Sequence, residues 1–177
     1  MEKENRVIEI IRTRRSIRQF RKGSVSDETV NEILEAGSWA PSGKNNQPWK
    51  YAVIRDADLK GALATMTHYR ATVRDAAVCI AVFLDTSGSY DRTKDVQAVG
   101  ASLQNMLLAI HSMGLGGVWL GEILKNKEKV AEVLGAEKDL ELMAVIALGH
   151  PGEKAMNFLP GEGPVRKRLD DLVFLRK

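Results

Sequence analysis

Nine residues near the N-terminus, RTRRSIRQF from Arg12 to Phe20, carry four arginines, a serine and two large apolar side chains. Guanidinium is a planar fork that meets phosphate or carboxylate oxygens with two hydrogen bonds at once. In extended chain successive side chains alternate, which sets Ser16 and Arg18 on one side and Arg15 and Ile17 on the other. A hydroxyl beside a guanidinium suits a phosphate or a polyol, and a solvated basic face accounts for these residues equally well. A second stretch, APSGKNNQP over residues 40–48, favours neither helix nor strand. Pro41, Ser42 and Gly43 allow backbone to approach a ligand closely, and Asn45 and Gln47 can both give and accept hydrogen bonds. Its plainer role is a loop leading into a strand, with Trp49 anchoring the core. A third stretch, GLGGVWLGE from Gly114 to Glu122, is glycine-rich but lacks the spacing of a dinucleotide or P-loop motif. The histidines at 68, 111 and 150 have no metal-ligand spacing. Cys79, within AAVCIAVFL, reads as a small buried hydrophobe rather than a nucleophile.

These residues need a scaffold, and 177 residues are enough for one domain, 1–177, with a sizeable core. The apolar fraction of 44% and charged fraction of 28% are ordinary for a globular chain. A net charge of +3 argues against a general nucleic-acid binder, so any basic site is local. A single cysteine excludes an internal disulfide and fits a reducing, cytoplasmic setting. No apolar run is long enough to span a bilayer, and the start MEKENR is too charged for a signal peptide.

The apolar spacing predicts a helix over 4–13 and a second from the N-cap Ser26 to about Gly37. Strands are expected over 49–54, 77–84, 117–120 and 140–148, and helices over 57–66 and 127–134. The longest helix, 91–113, carries a wide stripe of Val96, Val99, Leu103, Met106, Leu107 and Ile110 and stops at Gly114. THYRATVR, residues 67–74, is polar and unassigned. Residues 149–165 read as a long loop, and RKRLDDLVFLRK as a turn followed by a short strand or tail. The alternation of helices and strands suggests an α/β or α+β sandwich.

Arg14, Ser16, Arg18 and Phe20, followed by Pro41, Ser42, Asn45, Gln47, Pro48 and Trp49, resemble paired motifs of the nitroreductase family of FMN-dependent oxidoreductases. Gly114–Glu122 is similar to that family's Gly-Leu-Gly-rich segment after its long central helix, and VRKRLDDLV to its basic C-terminal element. The resemblance implies an α+β, nitroreductase-like three-layer sandwich: a central, mostly antiparallel sheet flanked by helices, in an intertwined homodimer. FMN would lie at the subunit interface. Arg14, Arg166 and Arg168 would reach its phosphate, Arg15 and Ser16 would follow the ribityl chain and phosphate, and Arg18 would sit near N1 and O2 of the ring. Pro41, Ser42, Gly43, Asn45 and Gln47 would come from the other chain. Trp119, Leu120, Gly121 and Glu122 would face N5 and O4, chiefly through backbone N–H groups. Relatives place a polar residue and a lysine at the ring's pyrimidine edge, and THYRATVRDAA offers no clear register for them.

The activity so implied is ping-pong, two-electron transfer from NAD(P)H as co-substrate through FMN to a nitroaromatic or quinone. No protein nucleophile or acid–base residue is expected, since the cofactor carries the bond chemistry. Rival expectations are reductive dehalogenation, flavin-consuming benzimidazole synthesis, or a flavin-binding redox sensor without a substrate. Neither nucleic acid nor a membrane is an expected partner.

Overall fold

The computed structural model describes residues 5–153 and 166–177. Its helices are α1 (Arg6–Thr13), α2 (Asp27–Ser38), α3 (Ala57–Thr65), α4 (Arg70–Asp75), α5 (Arg92–Ser112) and α6 (Lys127–Val133). Its strands are β1 (Phe20–Arg21), β2 (Trp49–Ile54), β3 (Val78–Asp85), β4 (Gly116–Leu120) and β5 (Leu140–Pro151). The strands form one antiparallel sheet in which β5 pairs with β1, β3 and β4, and β3 pairs with β2.

Alternation along the strands builds two cores. On β3, Val78, Ile80, Val82 and Leu84 face one layer with Ile33 of α2 and Val99, Leu103, Met106 and Ile110 of α5. Cys79, Ala81 and Phe83 face the other, with Leu63 of α3, Val73 of α4 and Val130 of α6. On β5 the alternation slips once. Val82 faces Ala144 and Phe83 faces Leu142, so Met143 is an extra residue in a bulge. The slip lets Leu142 serve one core while Ala144, Ile146 and Leu148 serve the other. The architecture is therefore the expected three-layer α+β sandwich.

Two features fix α5, on which the functional residues depend. Its start is capped by Asp91, whose side chain accepts from Lys94 N–H. Its end is a Schellman turn, with Gly114 at φ 73° and hydrogen bonds from Gly114 N to His111 O and from Leu115 N to Ile110 O. Gly37 lets α2 lie close against it: a Cβ there would come within 2.8 Å of Met106 Cγ. Tyr51 Oη and Ser102 Oγ, 2.6 Å apart, close the same junction.

Several elements differ from expectation. Residues 149–151 continue β5 rather than opening a loop, because Phe20 and Arg21 pair with Pro151 and His150. That partner strand has two residues and so no period to detect. Within THYRATVR the chain forms α4, held by burial of Thr72 and Val73 rather than by any helical pattern of its own. Residues 43–45 and 122–126 form 3₁₀ turns. The C-terminus makes a 3₁₀ turn, Leu169–Asp171, and then a tail without a strand. The remainder of the expected loop, 154–165, lies outside the described residues.

Candidate functional site

The basic stretch leaves α1 at Arg14 and runs beside β4. Ser16 bridges Gly117 in parallel, and Ile17 N–H donates to Gly117 O at 3.0 Å. Thr13 Oγ1 lies 2.8 Å from His111 Nε2, which fastens the end of α1 to the last turn of α5. Arg14 is half-buried, and its pKa lies below the usual arginine value through burial first, then the charges of Arg166 and Arg15. His111 is held below its ordinary value by burial and by Arg14 and Arg15. Arg15 donates through Nη1 to Arg12 O at 2.6 Å and Arg14 O at 3.0 Å, while its Nε is buried without a partner. Among the described residues no carboxylate forms an ion pair with Arg14, Arg15 or Arg166. Arg168 is exposed and reaches Asp170 at 3.6 Å. Like charges pressed together with no counter-ion make a receptor for a polyanion.

Arg18 stands at the other end of this stretch. Its guanidinium lies 5.5 Å from the centre of the Tyr69 ring, and its carbonyl accepts from Thr72 Oγ1 at 2.9 Å. The unassigned THYRATVR stretch is thereby brought beside the basic run. In the sequence His68, Tyr69 and Arg70 are unassigned candidates to line a pocket, and Thr72 is not marked at all, because no local signal reveals a contact between residues so far apart in the chain.

After β4 the chain turns at Gly121. Leu120 is buried and Trp119 is 40% exposed. The Glu122 carboxylate accepts from Thr67 Oγ1 at 2.7 Å and His68 N–H at 3.0 Å, and it pairs with Lys125 and with His68 Nε2 at 3.5 Å. These contacts hold its pKa down to about 2, against an ordinary 4.5, with the Lys125 hydrogen bond the largest cause and Thr67 next. The carboxylate thus joins the turn after β4 to the turn before α4. A depressed carboxylate value stabilises the fold above its unfolded pKa and loses that effect on acidification. Glu122→Gln is therefore expected to lower stability at neutral pH and to flatten the loss between pH 4.5 and about 2. Urea melts across that window test this, and an unchanged acid limb would contradict it.

The 40s loop is built differently. Lys44, Asn45 and Gln47 all adopt left-handed backbone, with φ of 54°, 56° and 47°. Such conformations cost roughly 1–3 kcal/mol each for residues other than glycine, and they persist where surrounding bonds impose them. Ser42 Oγ accepts from Gln47 N–H at 3.0 Å, Ser42 O from Asn45 N–H at 3.1 Å, and Asn45 O from Gln47 Nε2 at 3.2 Å. Tyr90 covers Gly43, with Lys44 Nζ 4.7 Å from its ring centre. Pro41 is exposed. Asn46 Nδ2 donates to Asp95 Oδ1 at 2.7 Å, so the loop is tied to the first turn of α5.

The expected site residues therefore fall into two groups. Arg14, Arg15, Ser16, Arg18, Trp119, Leu120, Gly121 and Glu122 lie along the last turn of α5, β4 and the segments beside them, with Arg166 near enough to Arg14 to act on its charge, whereas Arg168 pairs with Asp170. Pro41, Ser42, Gly43, Asn45 and Gln47 lie at the first turn of α5. From Asp95 to His111 the helix rises about 24 Å at 1.5 Å per residue. Within one chain the two groups do not meet.

An α+β sandwich carrying arginines that have no ion-pair partner among the described residues is a scaffold able to hold an anion. The chain belongs to the nitroreductase family, whose family model matches residues 11–72 and 62–150. A Desulfovibrio desulfuricans protein, provisionally named a nitroreductase and crystallised in complex with FMN, is 45% identical, with TM-score 0.91 and 99% of both chains covered. The NADPH:FMN oxidoreductase of Vibrio harveyi, crystallised with NAD+, is 28% identical, with TM-score 0.78 over 95% of this chain and 82% of its own. A Methanothermobacter thermautotrophicus protein, provisionally named an NADH dehydrogenase/NAD(P)H nitroreductase, is 35% identical over 149 residues, 83% of this chain and 78% of its own.

Proposed function

We propose that residues 1–177 form one FMN-binding domain of an NAD(P)H oxidoreductase that works as a homodimer in the cytoplasm. The single observation that carries this reading is the partly buried pair Arg14 and Arg15, with the exposed Arg166 acting on Arg14 and no carboxylate ion-paired to any of the three among the described residues. A phosphate dianion would relieve the repulsion and give the buried Arg15 Nε an acceptor. Arg14, Arg166 and Arg168 would hold that phosphate, and Arg15 and Ser16 the adjoining chain. The separation of the 40s loop from this cluster supports a site completed by a second chain. In it the partner's loop, with Pro41, Ser42, Gly43, Asn45 and Gln47, would close over the cofactor. Trp119, Leu120, Gly121 and Glu122 would border the ring, with the Glu122 side chain bracing the turn.

The chemistry FMN supplies when bound is two-electron transfer, in ping-pong order, from NAD(P)H to a nitroaromatic or quinone-type acceptor. The protein's part is to bind, orient and tune. Arg18 would hold a fixed positive charge near N1 and O2 of bound FMN and stabilise the negative charge that reduction brings. Backbone N–H groups at the end of β4 and in the turn after it, Trp119 to Glu122, would offer donors to N5 and O4. No side chain is needed as nucleophile, acid or base.

Purified protein is expected to be yellow, or to take up added FMN, and its visible band to bleach with NADPH or NADH. A colourless protein that refuses FMN overturns the reading. Bound FMN that neither donor bleaches leaves a binding module in its place. Within the active enzyme, Arg18→Ala should lower turnover on the order of a hundredfold, the scale for one donor facing developing charge. Ser42→Ala should cost only about fivefold, one neutral hydrogen bond. Equal losses would count against the role given to Arg18.

A further inference from the structure

Asp95 is fully buried, yet it lies in the first turn of an otherwise amphipathic helix and no step of the proposed reaction uses it. Its two oxygens accept from two different segments: Oδ1 from Asn46 Nδ2 at 2.7 Å and Oδ2 from Ser89 Oγ at 2.6 Å. Asn46 lies between Asn45 and Gln47, two of the three left-handed non-glycine residues of the loop. Its own Oδ1 is buried without a partner, so the contact to Asp95 is the side chain's one anchor among the described residues. A sequestered carboxylate that grips a strained loop by a short, charge-assisted bond fixes that loop's conformation before any ligand arrives.

We propose that Asp95 is a positioning residue: acting through Asn46, it holds residues 42–47 in the shape in which they are offered to the cofactor of the facing subunit. The proposal rests on the reading of this loop as part of an FMN site. Preorganisation of this kind appears in ligand affinity, because an unheld loop has to be ordered at the moment of binding. It should leave turnover at saturating FMN nearly unchanged.

The test compares the wild-type protein with Asp95→Asn, Asn46→Asp and the double exchange Asn46→Asp/Asp95→Asn. Hydrogen–deuterium exchange of amides 43–47 is measured on the flavin-free protein, and FMN binding by titration. Asp95→Asn, which keeps an acceptor but loses its charge, is expected to speed exchange in the loop and to raise the FMN Kd about fivefold, the difference between a charge-assisted and a neutral hydrogen bond. Exchange in β3 and β5 should not move. Asn46→Asp, which sets two carboxylates face to face, should do the same or more. The double exchange restores a donor on 95 opposite an acceptor on 46 and is expected to recover both readouts. Wild-type loop exchange in Asp95→Asn would overturn the proposal, as would a double exchange that folds without recovering either readout. Exchange needs no flavin, so it decides the role of Asp95 even if the wild-type protein fails to bind FMN, a result that would instead overturn the functional reading.

Discussion

Arg14→Ala is expected to weaken FMN binding about a hundredfold, the equivalent of one bidentate, charge-assisted contact of nearly 3 kcal/mol. The same substitution should leave the flavin-free protein as stable as before, or more so. The two signs follow from one observation. Arg14 is pushed toward its neutral form by burial and by the charges of Arg166 and Arg15, so in the absence of an anion its charge opposes folding. Removing the guanidinium relieves that repulsion and at the same time deletes a phosphate donor. Titration of flavin-free protein by fluorescence quenching gives the first quantity, and thermal melts without flavin the second. Arg14→Lys keeps the charge but loses the planar fork, and it should recover part of the affinity. A Tm that falls in Arg14→Ala while the FMN Kd stays put would mean that Arg14 braces the α1–α5 junction and nothing more. Affinity of the wild-type protein should also drop as salt is raised, since the cluster is only partly buried.

The second expected result needs two damaged chains. Arg14→Ala disables the cationic group, and Gly43→Trp disables the 40s loop by setting an indole where Tyr90 now covers the glycine. Each homodimer should hold little FMN. If each site takes its arginines from one chain and its loop from the other, a mixed dimer of the two variants concentrates both defects in one site. The second site then draws Arg14 from the loop variant and Gly43 from the arginine variant, and is wild type throughout. Differently tagged chains, co-expressed and purified through both tags, should therefore carry about one FMN per dimer and half the wild-type activity. Mixed dimers as empty as either parent would show that each chain makes its own site, despite the 16-residue separation along α5.

Much of the scaffold is legible in the amino-acid sequence alone. The stripe Val96–Ile110 and the stop at Gly114 mark α5 because both are local: a periodic face and a residue tolerant of positive φ. β3 is marked by an apolar run rich in β-branched residues, and the strand expected over 140–148 covers most of β5. The basic stretch is visible as a candidate anion site, but its residues alone do not separate phosphate from solvent. The order of four motifs makes the choice, and the repulsion among Arg14, Arg15 and Arg166 adds a physical reason. What stays hidden is non-local. Asp95 looks like any acid complementing the positive end of a helix, and only packing reveals it as buried. Glu122 finds Thr67 across 55 residues, so nothing near either one announces the bond. Lys44 and Gln47 carry no preference for left-handed backbone, and their conformation is imposed by bonds from Ser42, Asp95 and the cover of Tyr90.

One helix sets the spacing between the two groups of site residues, and this restricts how such a chain can change length. Each residue added to α5 would turn one end relative to the other by about 100° and push it about 1.5 Å further along. A single-residue insertion or deletion between Asp95 and His111 would swing the loop anchor away from its target. Changes of seven residues, close to two complete turns, would keep the bearing and alter only the reach. Length variation in close relatives should accordingly collect in the connections around the sheet, while the interval between these two anchors stays constant or shifts by whole turns.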